Sequence, residues 1–203
     1  MSGQPTREKI LDAVFKLVYV NGYNGTSMAM ILKECGIPKG SLYHFFKSKK
    51  EMVLAVVRER IAPRVDEFYA LDEQEGENGV DTIITAILRV TKNETLVSYG
   101  CPLNRLNQEM SPVDADFEVT INVIYEKLKN KIVRLLENST LPDGVDSSSL
   151  AEYVIAGVWG ALSLSSKQSS KKRYLDSASH LVNYLKSLKR PANLRNIYGF
   201  TNR

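Results

Sequence analysis

The sequence predicts an all-α protein built from a small three-helix head and a larger helical body. Three observations carry this. Apolar residues recur at spacings of three and four through most of the 203 residues, and no stretch shows the alternation of a β-strand. Between Thr26 and Lys49 a helix, a tight turn and a second short helix follow in order. Basic charge is concentrated at the front: residues 1–60 hold ten Lys/Arg against five Asp/Glu, and the rest seventeen against eighteen.

The first helix is predicted over Arg7 to Val20, with Ile10, Val14, Leu17 and Val18 on one stripe and Glu8, Lys9, Asp12 and Lys16 opposite. Asn21-Gly22 ends it. A second helix starts at Thr26 or Ser27, either of which can cap it, and buries Ile31 and Leu32. Gly36 turns the chain where a side chain would clash, and Pro38 suits the start of a third helix. That helix turns Leu42, Phe45 and Phe46 inward, leaving Lys39, Gly40, Ser41, Tyr43 and His44 on the other face. A small residue, hydroxyls and a cation in the first turn suit base edges and phosphates, so this face is expected to enter the major groove of double-stranded DNA. Lys47, Lys49 and Lys50 extend the positive surface. The plainer alternative is a solvated basic face on an ordinary helical hairpin.

Residues 7–50 resemble the DNA-binding domain of the TetR family of bacterial transcriptional regulators. The resemblance rests on Gly25-Thr26-Ser27, on Cys35 through Phe46 (Cys-Gly-Ile-Pro-Lys-Gly-Ser-Leu-Tyr-His-Phe-Phe), and on Lys49-Lys50-Glu51. It implies an all-helical homodimer reading a two-fold symmetric operator, with Lys39, Gly40 and Ser41 at base edges and Ser27, Tyr43, His44 and Lys49 on phosphates. Met28 and Ala29 depart from a polar helix start, so any base contact there is expected to be apolar, such as to a thymine methyl.

Composition bounds the rest. The length suits a head at residues 1–50, an effector-binding and dimerisation body at 51–190 and a polar tail at 191–203. With no apolar run of membrane-spanning length and no signal-peptide core at the N-terminus, a cytoplasmic protein without membrane contact is expected. Two cysteines are too few for a disulfide framework or a cysteine zinc site. Only His44 and His180 offer imidazole, and no glycine-rich phosphate loop or metal-ligand spacing is present. Catalysis, a metal and a cofactor are therefore not expected. A constitutive architectural DNA protein remains a rival, but it would carry positive charge along its body.

In the body, a connecting helix is expected from Lys49 to about Leu71, bent or split at Pro63. An acidic loop follows at 72–79, then helices from Asp81 to about Thr95, Pro102 to Met110, and Ser111-Pro112 to about Glu137, and a loop at 138–149. The segment from Leu150 to about Lys167 is flat with small residues, Gly157, Gly160 and Ala161 among them. The last helix, about Lys171 to Leu188, stripes Leu175, Ala178, Leu181, Val182 and Leu185. The resemblance places the dimer interface on these two helices, with Gly157, Gly160, Ala161, Leu181 and Leu185 as candidates. The alternative is that the glycines admit a neighbour within the same subunit.

Two sensor readings stand. Cys101-Pro102 places a sulfur at a helix N-terminus, where free amides and the dipole favour a thiolate. Gly100-Cys101 and the stretch Gly157 to Lys167 are similar to the electrophile-responsive NemR group of this family, which implies a redox or electrophile sensor at Cys101 with Lys167 beside it. The alternative is a buried cysteine packing as a small hydrophobe; Cys35 is expected to be of that inert kind. The other reading is a small-molecule cavity drawn from Phe68, Tyr69, Tyr99, Phe117, Tyr125, Tyr153 and Trp159, with Asn104 and Gln108 as polar fixers. In either case the effector would favour a spacing of the two heads that cannot span half-sites about 34 Å apart.

Overall fold

A computed structural model describes residues 3–68, 78–164 and 170–189. All regular structure among them is helical. The head consists of α1 (Gly3–Asn21), α2 (Met28–Cys35) and α3 (Lys39–Phe45). The connector is α4 (Lys49–Val56), a π-helical turn (Val57–Ile61) and α5 (Ala62–Phe68). The body adds α6 (Gly79–Arg89), a 3₁₀ turn (Val90–Lys92), α7 (Glu94–Tyr99), α8 (Pro102–Met110), α9 (Ala115–Glu137), α10 (Ser147–Ser163) and α11 (Ser170–Leu188).

Local chemistry sets most of these ends. The Ser27 hydroxyl accepts from the Met30 amide, Ser48 from Glu51, Asn93 from Leu96, Asp114 from Asp116 and Asp146 from Ser149. Gly36 closes α2 at φ 60°, a left-handed turn that favours glycine. Pro63 neither stops nor splits the connector. The chain passes it through the π turn, and the carbonyl of Glu59, whose α-helical donor Pro63 lacks, accepts from Arg60 Nη1 at 3.2 Å.

Three expectations are corrected. Pro112 lies in a turn and Asp114 caps α9, since the turn's Val113 and Asp114 amides both return to the carbonyl of Met110. The helix predicted from Asp81 to Thr95 breaks at the 3₁₀ turn, where Asn93 starts α7 as a separate helix. On α11 the inward residue of the first stripe is Tyr174, fully buried with its hydroxyl donated to the Ile87 carbonyl at 2.9 Å, while Leu175 is exposed. The predicted tail lies outside the described residues.

The core is continuous from head to body. Ile10, Leu11 and Val14 of α1 share one buried cluster with Ile31, Leu42, Phe46 and the α4 valines, and α1 packs against both α2 and α4. In the body α9 and α10 pack along each other, and α6 and α11 close the bundle. Gly79 admits this closure: a Cβ there would lie 2.0 Å from the Leu135 carbonyl oxygen. Each buried Leu, Ile or Phe contributes about 1.5–3 kcal/mol, which is what holds the short α2 and α3 in place despite their few internal hydrogen bonds.

Candidate nucleic-acid interface and its link to the body

The outer face of α3 is assembled by burial of its other side. Leu42 is fully buried and Phe46 nearly so. These two anchors leave Lys39, Gly40, Ser41, Tyr43 and His44 exposed. Nothing lies within 4 Å of a Cβ added at Gly40, so the helix start is open to a close neighbour. Lys39 Nζ stands 5.7 Å from the Tyr43 ring centre, which places cation and phenol on one patch. Ser27, exposed at the α2 cap, spends its oxygen on Met30 and keeps its hydroxyl proton to donate.

Lys49 differs from expectation. Its Nζ donates to the carbonyls of Tyr23 and Thr26, both at 3.0 Å, and sits 4.1 Å over the Tyr23 ring. Two of its three donors are committed inside the head, so its side chain staples the α1–α2 loop to α4 rather than facing phosphate. Lys50 turns to the body, pairing with Asp114 at 2.8 Å and Asp116 at 2.7 Å. The bond from Lys50, helped by the backbone amides of Asp116 and Phe117, holds the Asp114 carboxyl below its ordinary range.

The head is gripped by α8, which spacing alone does not reveal. Both carboxylate oxygens of Glu109 accept backbone amides of the α1–α2 loop, Tyr23 and Asn24, at 2.7 Å each. One turn earlier, Arg105 Nη1 donates to the Tyr19 carbonyl at 2.7 Å and the Tyr99 carbonyl at 3.3 Å. The Tyr19 hydroxyl donates to the Gly100 carbonyl at 2.8 Å. In sequence Glu109 looks like any solvated acid, because its partners are 85 and 86 residues away.

Cys101 caps this same helix, with Pro102 in its first turn, as the sequence predicts. It is only 6% exposed. Burial pushes its thiol up, opposed by the backbone amides of Asn104 and Leu103, so the expected thiolate is not the resting form. The sulfur's residue borders two cavities. One, of 280 Å³, lies between α1 and the body. The other, of 340 Å³, is polar and includes Asn104, Arg105, Gln108 and Ser163. Arg105, which also lines this second cavity, spends Nη1 on the Tyr19 and Tyr99 carbonyls. Cys35 is fully buried, and desolvation raises its thiol as well.

Of the other sensor candidates, the structure brings Tyr99, Asn104 and Gln108 to the polar cavity that Cys101 borders. Trp159 and Tyr125 stack edge to face with ring centres 5.5 Å apart, Tyr125 is bonded to Glu152, and neither borders the two Cys101 cavities. They serve α9–α10 packing. Lys167 lies outside the described residues. The dimer candidates divide. Ala161, Leu181 and Leu185 are buried in their own subunit, which corrects their assignment to a partner-facing surface. A Cβ at Gly157 would meet Leu181 at 3.0 Å, so this glycine admits a helix of the same chain. Gly160 is open, beside exposed Tyr153 and Leu164 on the outer face of α10 and Tyr184 on α11.

An open basic helix face on a three-helix head, joined by one continuous helix to a helical body, defines a helix-turn-helix transcriptional regulator. Residues 10–56 match the bacterial regulatory proteins of the tetR family. An uncharacterized HTH-type transcriptional regulator in the lacX 3′ region of Lactococcus lactis subsp. lactis is 31% identical over 169 residues, 78% of this chain and 82% of that protein. The HTH-type transcriptional repressor NemR of Escherichia coli (strain K12) is 25% identical over 189 residues, 89% and 94% of the two chains. The crystal structure of a TetR transcriptional regulator from Chloroflexus aurantiacus J-10-fl superposes with a TM-score of 0.79 at 26% identity, covering 91% of this chain and 96% of that one. The chain belongs to the TetR family. Among the described residues no helix is long and apolar enough to cross a membrane.

Proposed function

We propose that this protein is a homodimeric, cytoplasmic repressor that leaves its operator when a small electrophile or oxidant reacts at Cys101. One observation carries the reading: Cys101 heads the helix whose Arg105 and Glu109 hold the head. On the DNA side, Lys39, Gly40 and Ser41 read base edges, while Ser27, Tyr43 and His44 hold phosphates. The exposed Tyr153, Gly160, Leu164 and Tyr184 supply the dimer face.

The chemistry follows from burial. With N-ethylmaleimide the thiolate sulfur adds to the ring's double bond, forming S–C while the adjacent carbon takes a proton from water. The thiol's own proton goes to solvent, so the net change is addition of S–H across C=C. Desolvation keeps the thiolate scarce, which restricts the response to small, strongly electrophilic reagents. A group added to so buried a sulfur fills a bordering cavity or displaces the α7–α8 turn. Displacement reaches the head through Arg105 and Glu109 and shifts the population of head spacings. A second reading, favoured by the cavity between α1 and the body, is a repressor gated by a non-covalent apolar or aromatic ligand.

The test is fluorescence anisotropy on an operator selected from random duplexes, with wild type and Cys101→Ser, before and after N-ethylmaleimide or hypochlorite. Release of wild type alone supports a thiol gate. Equal release of both proteins, or of neither, removes Cys101 from the switch.

A further inference from the structure

The 280 Å³ cavity is shared between the head and the rest of the chain. Phe15 and Tyr19 come from α1 of the head, whereas Arg64, Val65, Leu96 and Pro102 come from the connector and body. Its walls are mainly apolar and aromatic, and its volume is near the lower end of the about 300–1,000 Å³ typical of small-molecule sites. Among the described residues, Arg64 is the one charged side chain lining it. Its guanidinium lies 4.5 Å over the Phe15 ring and donates Nη1 to the Arg60 carbonyl at 2.8 Å. It makes no ion pair among the described residues, in contrast to Arg60 nearby, which is held by Glu8 and Asp12. An apolar cleft with one cation and no acid among its described lining residues suits a small apolar anion.

We propose that this cavity binds a small aromatic monocarboxylate, its ring against Phe15, Tyr19 and Leu96 and its carboxylate on Arg64. The occupant touches head and body at once. Tyr19 is also the residue that joins α1 to the Gly100 carbonyl and to Arg105, so occupancy biases the angle at which the head is held. That consequence rests on the regulator reading; the binding itself does not, and needs no chemistry at Cys101.

Isothermal titration calorimetry of the full chain tests it with benzoate, cinnamate and 2-naphthoate, each against its uncharged carboxamide. The expected result is that at least one acid binds wild type and Cys101→Ser alike, with its amide about fivefold weaker, the scale of one partly exposed charge contact. Arg64→Gln, a change at an exposed residue, is expected to equalise acid and amide. Thr95→Trp, which adds bulk at the exposed rim, is expected to abolish both. No binding by any of the three acids overturns the proposal, as does an Arg64→Gln protein that still prefers the acid or a Thr95→Trp protein that binds as wild type does. Binding with unchanged operator affinity would leave the site standing and refute only its link to the head.

Discussion

Replacing Glu109 with alanine isolates the grip of α8 on the head. The carboxylate accepts two backbone amides, at 2.7 Å each, so the change removes two charge-assisted hydrogen bonds at once. Such bonds are worth about 1.5–3 kcal/mol when dry. Here Tyr23 is half-buried and Asn24 exposed, so water replaces part of the loss. A total of about 2 kcal/mol is expected, which for a chain of this length lowers Tm by about 4–8 °C. Glu109→Gln keeps one acceptor but turns an N–H toward an N–H, and is expected to recover less than half. Circular-dichroism melts measure the loss, and hydrogen exchange localises it, since the Tyr23 and Asn24 amides should lose protection while the α10 core amides keep theirs. Unchanged exchange at Tyr23 and Asn24 in Glu109→Ala would refute the grip, whatever the melt shows.

Other outcomes follow from the same geometry. Lys39→Ala is expected to weaken operator binding and relax base preference, and Tyr43→Phe to cost affinity evenly across sequences; anisotropy on a panel of single-base operator variants separates the two. Because burial raises the Cys101 thiol, its alkylation by iodoacetamide should lag that of the unfolded chain through the pH range where ordinary cysteines ionise, closing only at higher pH. By the same sign, the buried thiol's contribution to stability is fully present below the unfolded thiol's range and is lost as pH rises from there through the raised range of the folded thiol, a decline that melts from pH 7 upward would follow. Gly79→Ala should be among the costlier single-methyl changes in the body, at about 2–3 kcal/mol or more, because its Cβ meets backbone at Leu135 rather than a side chain that can rotate away. A melt within about 0.5 kcal/mol of wild type would show that α6 and α9 shift apart freely.

Residue order alone reveals the features that short-range chemistry governs. Helix stripes, the Ser27 cap, the Gly36 turn and the exposure of Lys39, Gly40, Ser41, Tyr43 and His44 all depend on residues within about one or two turns, so periodicity and residue type read them directly. The cap position of Cys101 and the helix of α8 belong with these. Tertiary structure alone decided which groups had partners. Lys49 and Lys50 are equally basic in sequence, yet one folds onto two carbonyls of the head and the other onto two aspartates of the body. Tyr174 and Leu175 are neighbours that both suit an apolar stripe, and the buried place went to the one whose hydroxyl could reach the Ile87 carbonyl. Leu181 and Leu185 are apolar toward either a partner or their own core, and the packing of α11 on α6, α7 and α10 of the same chain enclosed them. At Cys101 the helix N-terminus is local and lowers the thiol, whereas its desolvation comes from elements distant in sequence and outweighs it. The grip of Glu109 depends on closing a chain of some eighty residues, which no spacing rule encodes.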